Sequence, residues 1–149
     1  MRPYRVVVGI DGSSGGERAL FWAARHARAH EGSVRAVMVY DWPKAQSAVL
    51  AGRGRAQEQR RVEQLVEDLI AEVRREFRGV PITAETMAGT AGRTLAEAAA
   101  ESDLLVVGDH GHNRLHHSVL GSVSEKCVRL ASCPVAVIPM PRANPADSG

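Results

Sequence analysis

The chain has 149 residues, 44% of them hydrophobic, which is enough for one buried core and too short for two ordinary domains. Its 19 Lys and Arg are interspersed with 17 Asp and Glu, for a formal charge of +2, so there is no basic stripe and a nucleic-acid partner is excluded. The two cysteines, Cys127 and Cys133, lack zinc-site or disulfide-framework spacing, and no apolar run suits a signal peptide or a bilayer span, so a cytoplasmic protein with no membrane partner is expected.

The first element is "YRVVVGI" at 4–10, a continuous β-branched run that suits a strand buried on both faces. Ser14 and Glu17 then have capping-box spacing, and Leu20, Ala23, Ala24 and Ala27 repeat with helical period. "VRAVMVY" at 34–40 is a second strand. The following stretch, "DWPKAQSAVLAGRGRAQEQRR", is longer than ordinary connections and reads as a lid or a mobile loop whose last third is compatible with helix. Val62, Leu65, Val66, Leu69, Ile70, Val73 and Phe77 mark one face of a long amphipathic helix. "VPITAETM" alternates Val80, Ile82, Ala84 and Thr86 against polar or slight residues, as an edge strand would.

Thr94 and Glu97 repeat the capping-box spacing before a helix carrying Leu95, Ala98 and Ala99, and "DLLVV" at 103–107 is another doubly buried strand. A polar segment follows, "GDHGHNRLHHSVLGSVS" at 108–124. It leads into a helix that starts near Gly121 and Ser122, with Val123, Cys127, Leu130 and Ala131 on its apolar face. "PVAVI" is the last strand, and "PRANPADSG" reads as a flexible tail over 141–149, leaving one domain at 1–140.

Five strands alternating with four helices imply an α/β fold, a single doubly wound open parallel sheet with helices on both faces. In such sheets ligands sit at the carboxyl ends of the strands, where the winding reverses. Two strands end there in glycine and polar residues: Gly9, Ile10, Asp11 and Gly12 after the first, and Gly108, Asp109, His110 and Gly111 after the fourth. Gly108 lets a ligand approach the strand end. The helix opening at Gly121 and Ser122 presents free N–H groups and positive potential, which suits phosphate. Each such contact is worth about 0.3 to 1 kcal/mol when exposed, so several donors must act together. Ser122 and Ser124 offer hydroxyls, and His112 and Arg114 offer charge or further donors.

The spacing GxxGx(9)GS, formed by Gly108, Gly111, Gly121 and Ser122, resembles the ATP-binding motif of the universal stress protein family. "VVVGIDGS" at 6–13 and "SCPVAVIP" at 132–139 resemble that family's opening and closing strands, so the likeness runs from about residue 4 to residue 139. The resemblance implies a Rossmann-like fold of strand order 3-2-1-4-5. It implies Asp11 beside an adenosine, with Gly9 at the same rim, and Val39 lining the adenine largely through its backbone. Gly108, Gly111 and His112 would wrap ribose and phosphates, with Asn113 and Arg114 next in the loop. Gly121, Ser122, Val123 and Ser124 would hold the phosphates of ATP, with Mg²⁺ as its companion ion. It also implies a homodimer joined through the last strand, at Val135, Val137 and Ile138. Where many relatives have small residues after the second glycine, this chain has Asn113, Arg114 and Leu115, a stiffer and more cationic loop. The stretch "GTAGRTL" at 89–95 lacks the proline frequent at its third position.

The function these residues suggest is that of an ATP-binding stress-response regulator, a nucleotide-dependent switch with slow or no hydrolysis. A weak ATPase or nucleotidyl-transfer enzyme and a nucleotide-free dimeric scaffold stand as alternatives. Neither GxxxxGK[ST] nor GxGxxG occurs, so neither a P-loop mechanism nor a dinucleotide fingerprint is supported. His110, His112, His116 and His117 are close in sequence, yet no cysteine or acidic pair completes a tetrahedral set, and no metal site is assigned to them. Cys127 reads as a small hydrophobe and Cys133 as the more accessible thiol. Trp22 reads as helix packing, and Trp42 either anchors the long loop or stacks on a base.

Overall fold

A computed structural model describes residues 2–40, 54–109 and 120–140, except the side chains of Arg55 and Glu58. The segments 41–53, 110–119 and 141–149 lie outside the described residues, and with them the expectations for Trp42, Gly111, His112, Asn113, Arg114, the clustered histidines and the tail. The elements are β1 (Arg5–Ile10), α1 (Ser14–Ala29), β2 (Ser33–Tyr40), α2 (Arg55–Glu76), β3 (Ile82–Ala88), α3 (Ala91–Ala98), β4 (Leu104–Gly108), α4 (Ser122–Leu130) and β5 (Val135–Ile138).

All pairings are parallel and the order is β3-β2-β1-β4-β5, as expected. Val6 lies beside Val34 on one side and Leu104 on the other, so β1 is central and its continuous apolar run is buried twice over. Alternate residues sort into two cores. Val6, Val8, Ile10, Val34, Ala36 and Val106 pack under the long helices α1 and α2, while Val7, Val37, Leu105, Val107, Leu95 and Cys127 form a smaller core under α3 and α4. The winding therefore reverses between β1 and β4.

Small residues let α1 lie close to the sheet: Ala19, Ala23, Ala24 and Ala27 are fully buried around Leu20. Helix α2 begins at Arg55, so the final third of the long connection is helical. Its apolar face is as expected except for Leu65, which is 44% exposed. Likewise Leu130 of α4 is 43% exposed instead of reaching the smaller core. β3 is an edge strand, although of its alternating set only Val80 and Ile82 are buried.

Two helix starts differ from expectation. The cap of α1 is Ser13, one residue before the Ser14 of the capping-box reading: its hydroxyl accepts from Gly16 N at 3.2 Å, and its own amide and hydroxyl are held by Asp11 Oδ1. The N-cap position of α3 is Thr90, and Thr94, read from the sequence as the cap, is a buried interior residue one turn further on. In both places a local pattern fits more than one frame, and at α1 the Asp11 carboxylate at the end of β1 decides between them.

Candidate functional site

At the carboxyl ends of β1 and β4 lies a cleft of ≈ 80 Å³, lined among the described residues by Gly9, Ile10, Asp11, Val39, Leu95, Gly108 and Val123, with Ser13, Gly16, Ala91 and Val107 completing it. Its walls come from both cores, so it sits at the reversal of winding.

Asp11 leaves β1 and turns back at once. Its Oδ1 accepts from Ser13 N at 2.9 Å and from the Ser13 hydroxyl, an Asx turn made possible by Gly12 at φ 84°. The carboxylate is thus exposed at the cleft and fixed in direction by the cap of α1. On the other side, a Cβ at Gly108 would lie 3.1 Å from the carbonyl carbon and oxygen of Gly15. That contact is with backbone, so a side chain there would push the strand end and the start of α1 apart by a few tenths of an ångström.

Three helices begin around this space. Ser13 and Gly16 belong to the first turn of α1, Ala91 opens α3, and Val123 is the second residue of α4. Helix N-termini carry N–H groups without intrahelical partners and about half a positive charge each, so three of them make the cleft electropositive without a lysine or arginine among its described lining residues. The start of α4 is tied to β4 through Asp109, whose carbonyl accepts from Gly121 N at 2.8 Å and from Ser124 Oγ at 3.1 Å. Ser124 is buried, and Gly121 O lies 3.0 Å from its hydroxyl as well. Of the two serines expected to offer hydroxyls to a phosphate, Ser122 is exposed at the helix start, whereas Ser124 has its hydroxyl engaged by backbone.

Of the expected site residues, Gly9, Asp11, Val39, Gly108 and Val123 meet in the cleft, and Gly121, Ser122 and Ser124 form the adjoining helix start. Gly111, His112, Asn113 and Arg114 lie outside the described residues. Ser13, Gly16, Ala91, Leu95 and Val107 were not expected there. The signal for Ala91 was Thr90, a cap residue separated from the end of β3 only by Gly89, and Val107 follows from Gly108 by adjacency. Cys127 lies beneath α4 with Sγ 3.7 Å from Gly92 O, and burial pushes its thiol up to about 11, which fits a packing role.

An open parallel sheet of order 3-2-1-4-5 with a cleft of glycine and apolar walls at the reversal of winding defines the doubly wound α/β class, whose ligands bind at that rim. Within that class the chain belongs to the universal stress protein family, whose model matches residues 4–139. A universal stress protein of Mycolicibacterium smegmatis is 28% identical over 140 residues, covering 91% of this chain and 48% of that protein. The chain thus spans about half the length of the relatives it matches. Among solved structures, a universal stress protein in complex with cAMP superposes with TM-score 0.67 at 24% identity, over 93% of this chain and 98% of the other. One from Archaeoglobus fulgidus in complex with dAMP gives 0.66 at 20% identity, over 93% and 99%. These structural likenesses establish the fold. Among the described residues no helix is long and apolar enough to cross a membrane.

Proposed function

We propose that the cleft binds an adenine nucleotide, ATP foremost, and that its occupancy regulates what the protein contacts in a stress response. The observation that carries this reading is the convergence of three helix starts, from both faces of the sheet, on the strand ends that bear Asp11 and Gly108. An anion meets several donors there at once. Val39, Ala91, Leu95, Val107 and Val123 supply an apolar wall suited to a purine face. The nucleotide complexes of the two related structures support the same chemistry.

In this reading Asp11 receives the adenosine and Val39 borders the base. Gly9 and Gly108 wall the site with backbone, and the amides of Ser122, Val123 and Ser124 meet the phosphates. Gly111, His112, Asn113 and Arg114 add contacts from the loop, His112 and Arg114 supplying the cationic share. Mg²⁺ would travel with the phosphates, with Asp11 as the carboxylate among the described lining residues. A ligand shifts an equilibrium only by its differential affinity for the two states, so regulation requires that the nucleotide-bound form differ in its contacts. A homodimer through β5, at Val135, Val137 and Ile138, is the assembly on which such a change would be read. The cytoplasm is the expected compartment, and hydrolysis is slow or absent.

Protein purified without added ligand and then denatured should release an adenine nucleotide, and calorimetry on the stripped protein should give a heat of association with ATP. Gly111→Val should lose both while keeping the circular dichroism of the parent. No heat with ATP, ADP, AMP or cAMP, or equal retention in Gly111→Val, would overturn the assignment.

A further inference from the structure

The geometry points to a second ligand site, for a divalent transition-metal ion, at the far end of α1, formed by the imidazoles of His26 and His30 with water completing the coordination. This proposal is independent of the nucleotide cleft, because the cleft adjoins the first turn of the same 16-residue helix and the histidines occupy its last turn.

His26 and His30 are one helical turn apart on one face, with ring centres 4.4 Å apart and planes tilted by 45°. That spacing is within reach of one shared ion at metal–nitrogen distances of about 2.1 Å, and among divalent first-row ions Cu²⁺ binds nitrogen sites most tightly.

The rings are already held in place by their neighbours. Trp22, one turn earlier, stacks on His26 at 4.9 Å and 10°, and Tyr4 from the chain before β1 stacks on His30 at 4.5 Å and 17°. Less rotamer freedom is then lost on binding than for two free surface histidines. His30 is also the C-terminal cap of α1, where the negative end of the helix dipole favours a cation. One contact competes: Tyr4 Oη lies 3.2 Å from His26 Nε2, a long hydrogen bond that the ion must displace. Among the described residues no three His, Cys, Asp or Glu side chains converge, so the other positions go to water.

Trp22 makes the site observable, since a paramagnetic ion on His26 would quench the indole stacked against it. The experiment uses the full chain carrying Trp42→Phe, which leaves Trp22 as the remaining tryptophan, titrated with Cu²⁺ at pH 7.5 without reductant. Quenching that reverses with a chelator, with its midpoint raised about tenfold or more by His26→Gln and by His30→Gln, supports the site. His30→Gln decides the matter if His26→Gln disturbs the stack, because His30 is exposed. A midpoint that His30→Gln leaves within about twofold, in a variant with unchanged circular dichroism, would seat the ion elsewhere, the rivals being His110, His112, His116 and His117, and would overturn the proposal.

Discussion

The hollow at the amino ends of the strands measures ≈ 500 Å³ and the cleft at their carboxyl ends ≈ 80 Å³, yet the smaller space carries the features of a site. Both follow from one chain direction. In a parallel α/β sheet the helices start where strands end, so the carboxyl rim collects N–H groups and the amino rim collects carbonyls. At the amino rim side chains of the chain itself answer backbone groups of both kinds. Arg35 pairs with Glu85 and donates to the Ala98 carbonyl at the end of α3 at 3.1 Å. Asp103 accepts Arg5 N at 2.8 Å and both terminal nitrogens of Arg2 at 3.1 and 3.2 Å. At the carboxyl rim three helix starts face open space. Volume alone therefore does not mark a site; helix starts that converge on strand ends do.

That contrast can be broken at either end. Gly108→Val forces a branched side chain onto the Gly15 backbone and should have the largest effect, about 1 to 3 kcal/mol of stability in urea unfolding together with loss of bound nucleotide. Retained nucleotide in that variant would mean that the carboxyl rim tolerates what its geometry forbids. Asp103→Asn weakens charge-assisted bonds at the amino rim and should lower stability by about 1 kcal/mol, less in high salt, with nucleotide affinity unchanged. A change in affinity there would show the two ends to be coupled. Ser124→Ala removes a buried hydroxyl donated to backbone and should cost about 0.5 to 1.5 kcal/mol, again with affinity nearly intact, since the proposed contact is the amide. A large loss of affinity with little loss of stability would return the hydroxyl to the phosphate. The smallest effect belongs to Glu85→Gln, whose partner Arg35 is, like it, well exposed: about 0 to 1 kcal/mol, seen as a small shift in denaturation midpoint.

Much of the fold was legible in the sequence because burial on both faces leaves a continuous apolar run, and "RVVVGI" and "LLVV" have no other comfortable place than the middle of a parallel sheet. The order of strands came from the family likeness, and residue pattern alone carried only the class. Helix starts were less legible. "DGSSGGE" offers two serines with a partner three residues on, and what selects Ser13 is the Asp11 carboxylate, a contact set by where β1 ends. Leu65 and Leu130 have the right period for burial and are exposed, because periodicity fixes the side of a helix and says nothing about how far the neighbouring elements extend. Glycine spacing located the β4 side of the cleft. The contribution of α3 was missed, since Thr94 and Glu97 drew attention one turn past the true start. The His26 and His30 pair was visible as a spacing, but Tyr4 reaches it only through the fold.

Asp109 has one further consequence. Its amide donates to Ile138 O at 3.1 Å, its carbonyl holds Gly121, and its carboxylate takes Met140 N at 3.3 Å, so a single residue buckles together the exit of β4, the entry of α4 and the end of β5. The chain between 109 and 121 therefore departs and returns through one knot, and lengthening it would cost the scaffold little, about 0.6 kcal/mol for each doubling. Evolution could rewrite that excursion to suit a different guest while the sheet beneath stays as it is.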